Sequence, residues 1–199
     1  MFRKFCVSVV NAFMRCYFKV DVVNQDRFLK MKTGCILACN HISAWETVLM
    51  PVFAKKVIHM MAKEELFENK FNGWFLRQMA AFPIARKKAD ISAIKSCVKL
   101  LKEGKSICMF PEGTRSKDGT MNFKTGVSLI SHSAKSPVIP VGIVAEDNFK
   151  FRSKVHIVFG EPIYFTDYYD RKVNKEELND MTEKIKEGVI KAMKSVKEA

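Results

Sequence analysis

The sequence lacks several things, and each absence narrows its class. It has no apolar run near the roughly 18–20 residues that a membrane-spanning helix needs. The longest early uncharged stretch, Phe5–Met14, is soon interrupted by Arg15 and Lys19. Nor does it carry the small-residue pattern of a cleaved signal, so neither a span nor a signal is expected. CxxC pairs are missing too. The six cysteines are Cys6, Cys16, Cys35, Cys39, Cys97 and Cys108, and most sit among apolar neighbours. They read as small buried hydrophobes in a reducing compartment rather than disulfides or zinc ligands. His41, His59, His132 and His156 are too scattered for a metal cluster, so a site without metal or other cofactor is expected. Acid is scarce as well: 34 Lys and Arg stand against 21 Asp and Glu, a net charge of +13. Such a field attracts an anionic partner, whether nucleic acid, an acidic membrane surface, an acidic carrier or a phosphate-bearing substrate.

What is present suits one globular domain with a short appendage: 199 residues, 48% hydrophobic and 28% charged. At the start, Phe2, Phe5, Cys6, Val9, Phe13, Cys16, Tyr17 and Val20 recur at helical steps, with Arg3, Lys4, Asn11 and Arg15 on the other side. This predicts an amphipathic helix over residues 1–22. By itself the pattern suits equally a helix in a membrane interface and one packed on its own domain. The remainder, 23–199, alternates two kinds of segment. Strand-like runs are Gly34–Cys39, Lys56–Ala62, Ala81–Ala85, Ser106–Phe110, Val138–Val144 and Val155–Phe159. Helix-like stretches are Ala44–Ala54, Lys63–Met79, Lys88–Lys102, Lys124–Ala134 and a tail from Asn174 to Val196, capped by Asn174 with Glu177. Strand alternating with helix predicts an α/β fold: a mixed, largely parallel sheet flanked by helices, with ligands gathering where strands end.

Three motifs fall at those ends. In Asn40-His41-Ile42-Ser43-Ala44-Trp45-Glu46, a carboxylate at the start of a helix can hold one imidazole nitrogen and leave the other to take a proton. Ser43-x-x-Glu46 also fits a capping box, and the two oxygens of Glu46 allow both roles. In Phe110–Ser116, a strand runs into a turn at Gly113 that gathers Glu112, Thr114, Arg115 and Ser116. Arg115 offers a planar fork of donors suited to phosphate, while an ordinary solvated turn would look the same. Phe82–Lys88 ends a third apolar run in basic residues, led by Arg86, and alone reads equally as a solvated loop. Gly104-Lys105-Ser106 is not a P-loop, because Lys99 stands where a glycine is required and a strand follows.

Taken together, these blocks resemble the glycerolipid acyltransferases that make phosphatidic acid from lysophosphatidic acid. Asn40–Glu46 matches the spacing of that family's Asn-His-four residues-Asp block, with Glu in place of Asp. Phe82–Arg86 matches its second block, and Phe-Pro-Glu-Gly-Thr-Arg-Ser stands residue for residue at Phe110–Ser116. Val138-Ile139-Pro140-Val141 corresponds to the fourth. Members with longer N-termini anchor through a helical pair, whereas here one helix is available, so the resemblance implies that residues 1–22 form a membrane-contacting helix.

The resemblance implies transfer of an acyl chain, from acyl-coenzyme A or acyl carrier protein as co-substrate, to the free hydroxyl of lysophosphatidic acid. His41 would be the base and Glu46 its orienter. Arg86, Arg115 and Lys124 would clamp the phosphate, with Glu112, Gly113 and Thr114 shaping the site. It implies a lysophospholipid acceptor, a membrane surface as partner, and a peripheral location at the cytoplasmic face. Glycerol-3-phosphate or another lysolipid is the alternative acceptor. A more distant alternative is a non-catalytic basic protein that binds membranes or nucleic acid. The exposed aromatics interleaved with basic residues that would mark a nucleic-acid binder are not found in the pattern.

Overall fold

In a computed structural model of the protein, residues 1–84, 91–115 and 120–196 are described. Among the described residues, seven strands form one sheet in the order β1-β7-β6-β2-β5-β3-β4. They are β1 (Lys19–Val23), β2 (Ile36–Cys39), β3 (Ile58–Lys63), β4 (Ala81–Ile84), β5 (Ser106–Met109), β6 (Val138–Ala145) and β7 (Lys154–Phe159). All neighbours run parallel except β6 and β7, so the sheet is mixed and largely parallel. The helices are α1 (Phe2–Tyr17), α2 (Asp26–Leu29), α3 (Glu46–Phe53), α4 (Lys70–Gln78), α5 (Ile91–Lys102), α6 (Gly126–Ala134), α7 (Thr166–Tyr169) and α8 (Lys175–Lys194).

Strand β2 lies at the centre, and all four of its residues are buried. Because successive side chains of a strand alternate between faces, it feeds two cores. Leu37 and Cys39 join Met14, Leu49, Met50 and Phe53 of α1 and α3. Ile36 and Ala38 join Cys97, Leu101, Val127 and Ile185 of α5, α6 and α8. A strand covered on both faces reads as a continuous apolar run, which is why Ile36–Cys39 shows no polar alternation. Helix α8 carries the predicted capping box: Asn174 Oδ1 accepts the Glu177 amide and Glu177 Oε2 accepts the Asn174 amide, each at 2.9 Å.

Two expectations about elements change. The first helix, expected over 1–22, ends at Tyr17, and Phe18 turns extended (φ −122°, ψ 152°). Phe18 is fully buried, after which Lys19 and Asp21 stay exposed while Val20 and Val22 lie half-buried against the core. That period of two makes the edge strand β1, paired with β7. The stretch Lys63–Met79 is not one helix either. A 3-10 turn at Glu64–Phe67 precedes α4, which starts where Asn69 Oδ1 accepts the Phe71 and Asn72 amides. Among the described residues, no helix is long and apolar enough to cross a membrane.

Candidate active site

Strands β2 and β5 are parallel neighbours, so the loops after Cys39 and Met109 emerge side by side. Asn40 fixes the first of them. It is 1% exposed, and its side-chain amide pairs twice with the backbone of Ile143 in β6, donating at 2.9 Å and accepting at 2.7 Å. The side chain thereby continues the ladder one residue beyond the strand, and His41 follows where the chain leaves the sheet.

His41 is held at three points. Its Nδ1 lies 2.7 Å from Glu46 Oε2. Its ring stacks on Phe110, with centroids 4.2 Å apart and planes 22° from parallel. Its backbone N–H donates to Glu112 Oε1 at 2.9 Å. Glu46 is the first residue of α3 and is fully buried. Its Oε1 accepts the amides of Ile42 and Ser43, each at 2.9 Å. A buried carboxylate without partners would cost several kcal/mol; here three N–H donors and the start of a helix compensate it.

Because a carboxylate only accepts hydrogen bonds, Nδ1 carries the proton and Nε2 presents its lone pair. Among the described residues nothing bonds to Nε2, so the arrangement can take a proton from a hydroxyl placed there. The Ser43–Glu46 capping pattern is half realised. Glu46 bonds back to the Ser43 amide, while Ser43 Oγ accepts from Trp45 N at 3.3 Å.

After β5, Phe110-Pro111-Glu112-Gly113 forms a turn closed by Gly113 N–H to Phe110 O at 3.0 Å. Gly113 has φ +74°, and a β-carbon there would lie 2.9 Å from Lys124 Nζ. Glycine is thus favoured for its backbone angle, and its missing side chain leaves room for the Lys124 ammonium. Lys124 is tied to the same turn by its amide, which donates to Pro111 O at 2.9 Å. Glu112 is 6% exposed; burial pushes its carboxyl up from the ordinary glutamate value, opposed by the amide and ring of His41. Thr114 and Arg115 follow on the exposed side of the turn.

The structure therefore brings His41, Glu46, Glu112, Gly113 and Lys124 to one pair of strand ends, with Thr114 and Arg115 beside them. Arg86 and Ser116 lie outside the described residues. Strand β4, which leads toward Arg86, runs parallel to β3 and so ends on the same side of the sheet. Two positions were named only as parts of motifs: Asn40 as a strand extension and Phe110 as a wall for the imidazole. The cue for Asn40 was a polar residue closing a wholly apolar strand. The stacking of Phe110 had no cue, since an aromatic at the end of a buried strand reads as core.

An imidazole paired with a buried carboxylate at the ends of parallel strands, beside Lys124 and Arg115, is an arrangement able to activate a hydroxyl near an anionic group. The family model described as Acyltransferase matches residues 19–144. The chain is 32% identical to the 1-acyl-sn-glycerol-3-phosphate acyltransferase of Bacillus subtilis (strain 168), over 94% of this chain and 94% of that protein. It is 34% identical to the Streptococcus pneumoniae protein of the same name, over 81% of this chain and 61% of that one. In fold it resembles the crystal structure of the 1-acyl-sn-glycerophosphate (LPA) acyltransferase PlsC from Thermotoga maritima. The TM-score is 0.74 at 24% identity, over 99% of this chain and 82% of that one. This chain belongs to the acyltransferase family.

Proposed function

We propose that the protein acylates lysophosphatidic acid to phosphatidic acid, with His41 as general base. The observation that supports this reading is the His41 Nδ1–Glu46 Oε2 contact of 2.7 Å, which leaves Nε2 available for a hydroxyl. The acceptor hydroxyl gives its proton to Nε2 as its oxygen attacks the thioester carbonyl of the acyl donor. Collapse of the tetrahedral adduct expels the thiolate, which takes the proton back from the imidazolium. No covalent acyl-enzyme forms. The buried carboxylate of Glu46 stabilises the imidazolium, and the face of Phe110 adds to this electrostatically.

Lys124, Arg115 and Arg86 serve the acceptor's phosphate. Glu112 braces the His41 loop through Oε1, leaving Oε2 for the glycerol, and Thr114 supplies a hydroxyl at the rim. The donor is acyl-coenzyme A or acyl carrier protein, and the acceptor is met at a membrane surface on the cytoplasmic face. The relatives' names, which specify the 1-acylated phosphate acceptor, favour lysophosphatidic acid over glycerol-3-phosphate.

The test follows thiol release from acyl-coenzyme A or acyl carrier protein in detergent, with and without lysophosphatidic acid, beside His41→Ala. Acceptor-dependent release is expected, falling about a hundred- to ten-thousand-fold in the variant. Comparable turnover in folded His41→Ala would end the general-base mechanism.

A further inference from the structure

Helix α4 is built the wrong way round for a helix that serves the core. Of its nine residues only Gly73 is buried. Its aromatic residues look outward: Phe71 is 70% exposed, Trp74 45% and Phe75 37%. Gly73 is what lets the helix sit down, because a β-carbon there would meet Phe67 O at 2.8 Å. Close backbone contact at Gly73 thus seats the helix while Phe71, Trp74 and Phe75 keep much of their surface open. Contiguous exposed aromatics of this kind mark an interaction surface.

The surface is shared with α1. Phe2 places its ring 5.0 Å from Trp74 and 6.4 Å from Phe75, joining segments that lie far apart in sequence. From Phe2 an open stripe runs along α1 through Phe5, Val9 and Phe13, at helical steps of three and four. The same helix buries Met14 against the domain, so one side is anchored and another left open. The charge on these helices has one sign. Their ionic residues are Arg3, Lys4, Arg15, Lys70 and Arg77, and neither helix contains Asp or Glu. The acidic groups nearest in sequence lie outside both helices: Glu64, Glu65 and Glu68 before the cap of α4, and Asp21 in β1 beyond the end of α1. An apolar stripe on helices whose ionic residues are all cationic is complementary to an anionic lipid surface, whose acyl region takes aromatics and whose headgroups take Lys and Arg.

We propose that α1 and α4 form one two-helix platform that docks on an anionic bilayer, with Phe71 and Trp74 as a second insertion point beside the N-terminal helix. This rests on the reading of the protein as an enzyme that meets its acceptor at a membrane, and it adds α4 as the part that reading did not contain.

The protein has two tryptophans, so Trp45→Phe leaves Trp74 as sole reporter. With vesicles of phosphatidylcholine and phosphatidylglycerol, its emission should shift to the blue and be quenched by brominated acyl chains. Vesicle binding with Trp74 unquenched would overturn the proposal. In the otherwise unaltered chain, Phe71→Ser with Trp74→Ser should weaken co-flotation with those vesicles roughly tenfold or more. Unchanged flotation would overturn it, as would failure of the parent protein to bind vesicles. A dimer that dissociates in the double variant, with no vesicle binding, would assign the face to a second copy instead. Turnover of a short-chain, water-soluble lysophosphatidic acid without vesicles should be unchanged in the double variant. That readout belongs to the catalytic reading alone, so the two can fail separately.

Discussion

At the ends of β2 and β5 polar groups are buried and matched, while along α1 and α4 apolar groups are exposed and left open. The contrast shows in the hydrogen bonds. Glu46 is fully buried and accepts three N–H groups, and Asn40 uses both ends of its amide on Ile143. Among the described residues, the buried side-chain polar atoms without a partner are Arg3 Nε and Ser153 Oγ, and neither belongs to the site. On the open face, Phe5 is 69% and Phe71 70% exposed. A saturated polar cluster holds one geometry, whereas an open apolar stripe retains affinity for something outside the chain. Catalysis calls for the first and docking for the second. Perturbing either region should therefore move different measurements.

The largest effect is expected at the site, from Glu46→Gln. A glutamine can still accept the Ile42 and Ser43 amides through its oxygen, so the loop keeps its shape. Its NH2 group would then face Nδ1 and donate to it, which moves the imidazole proton to Nε2 and removes the base. The expected loss in kcat is on the order of a hundred- to ten-thousand-fold, with the melting temperature changed far less. A variant that keeps kcat within a few-fold would show that the tautomer is set by something other than Glu46.

A smaller, pH-dependent effect is expected at Glu112. Burial raises its carboxyl in the folded protein, so the native state binds the proton more readily than the unfolded chain. That group's contribution to stability is full below the ordinary glutamate value and is lost as pH rises through the raised one. Glu112→Gln has no such titration, and its oxygen can still accept the His41 amide. Thermal unfolding from acid to neutral pH should show the variant gaining on the parent as pH rises. A difference that stays flat or falls with pH would remove burial as the dominant influence on this carboxylate.

The two regions also differed in how far they could be read from sequence. The strand ends were legible because a buried parallel strand leaves a continuous apolar run, and the polar residue that closes it marks where the chain leaves the sheet. Asn40-His41 and Pro111-Glu112-Gly113 are such endings. Pattern did not disclose that the Glu112 carboxylate would reach across to the His41 amide, since contacts between loops depend on which strands are neighbours. At the N-terminus, Val20 fits a helical step from Cys16 and Tyr17 as well as the two-residue alternation of Phe18, Val20 and Val22. Only pairing with β7 decides for the strand. Of the two expectations for α1, a membrane interface or its own domain, the structure shows packing on the domain. Packing uses one stripe of α1 through Met14 and leaves Phe5, Val9 and Phe13 open. Helix α4 was hidden inside a longer helical pattern, because periodicity counts apolar residues without showing which way they face.

The smallest effect is expected on the open face itself. Phe5 is 69% exposed, so replacing it with serine removes little buried area. The helix propensities of the two residues are also close. Without vesicles, Phe5→Ser should change unfolding free energy by no more than about 0.5 kcal/mol, the usual range for a surface site. Chemical denaturation of both proteins in detergent-free buffer measures this directly. A loss near 2 kcal/mol would mean that Phe5 is already covered in solution. The stripe on α1 would then be an internal or self-association contact, and the division between a closed site and an open docking face would fail at that helix.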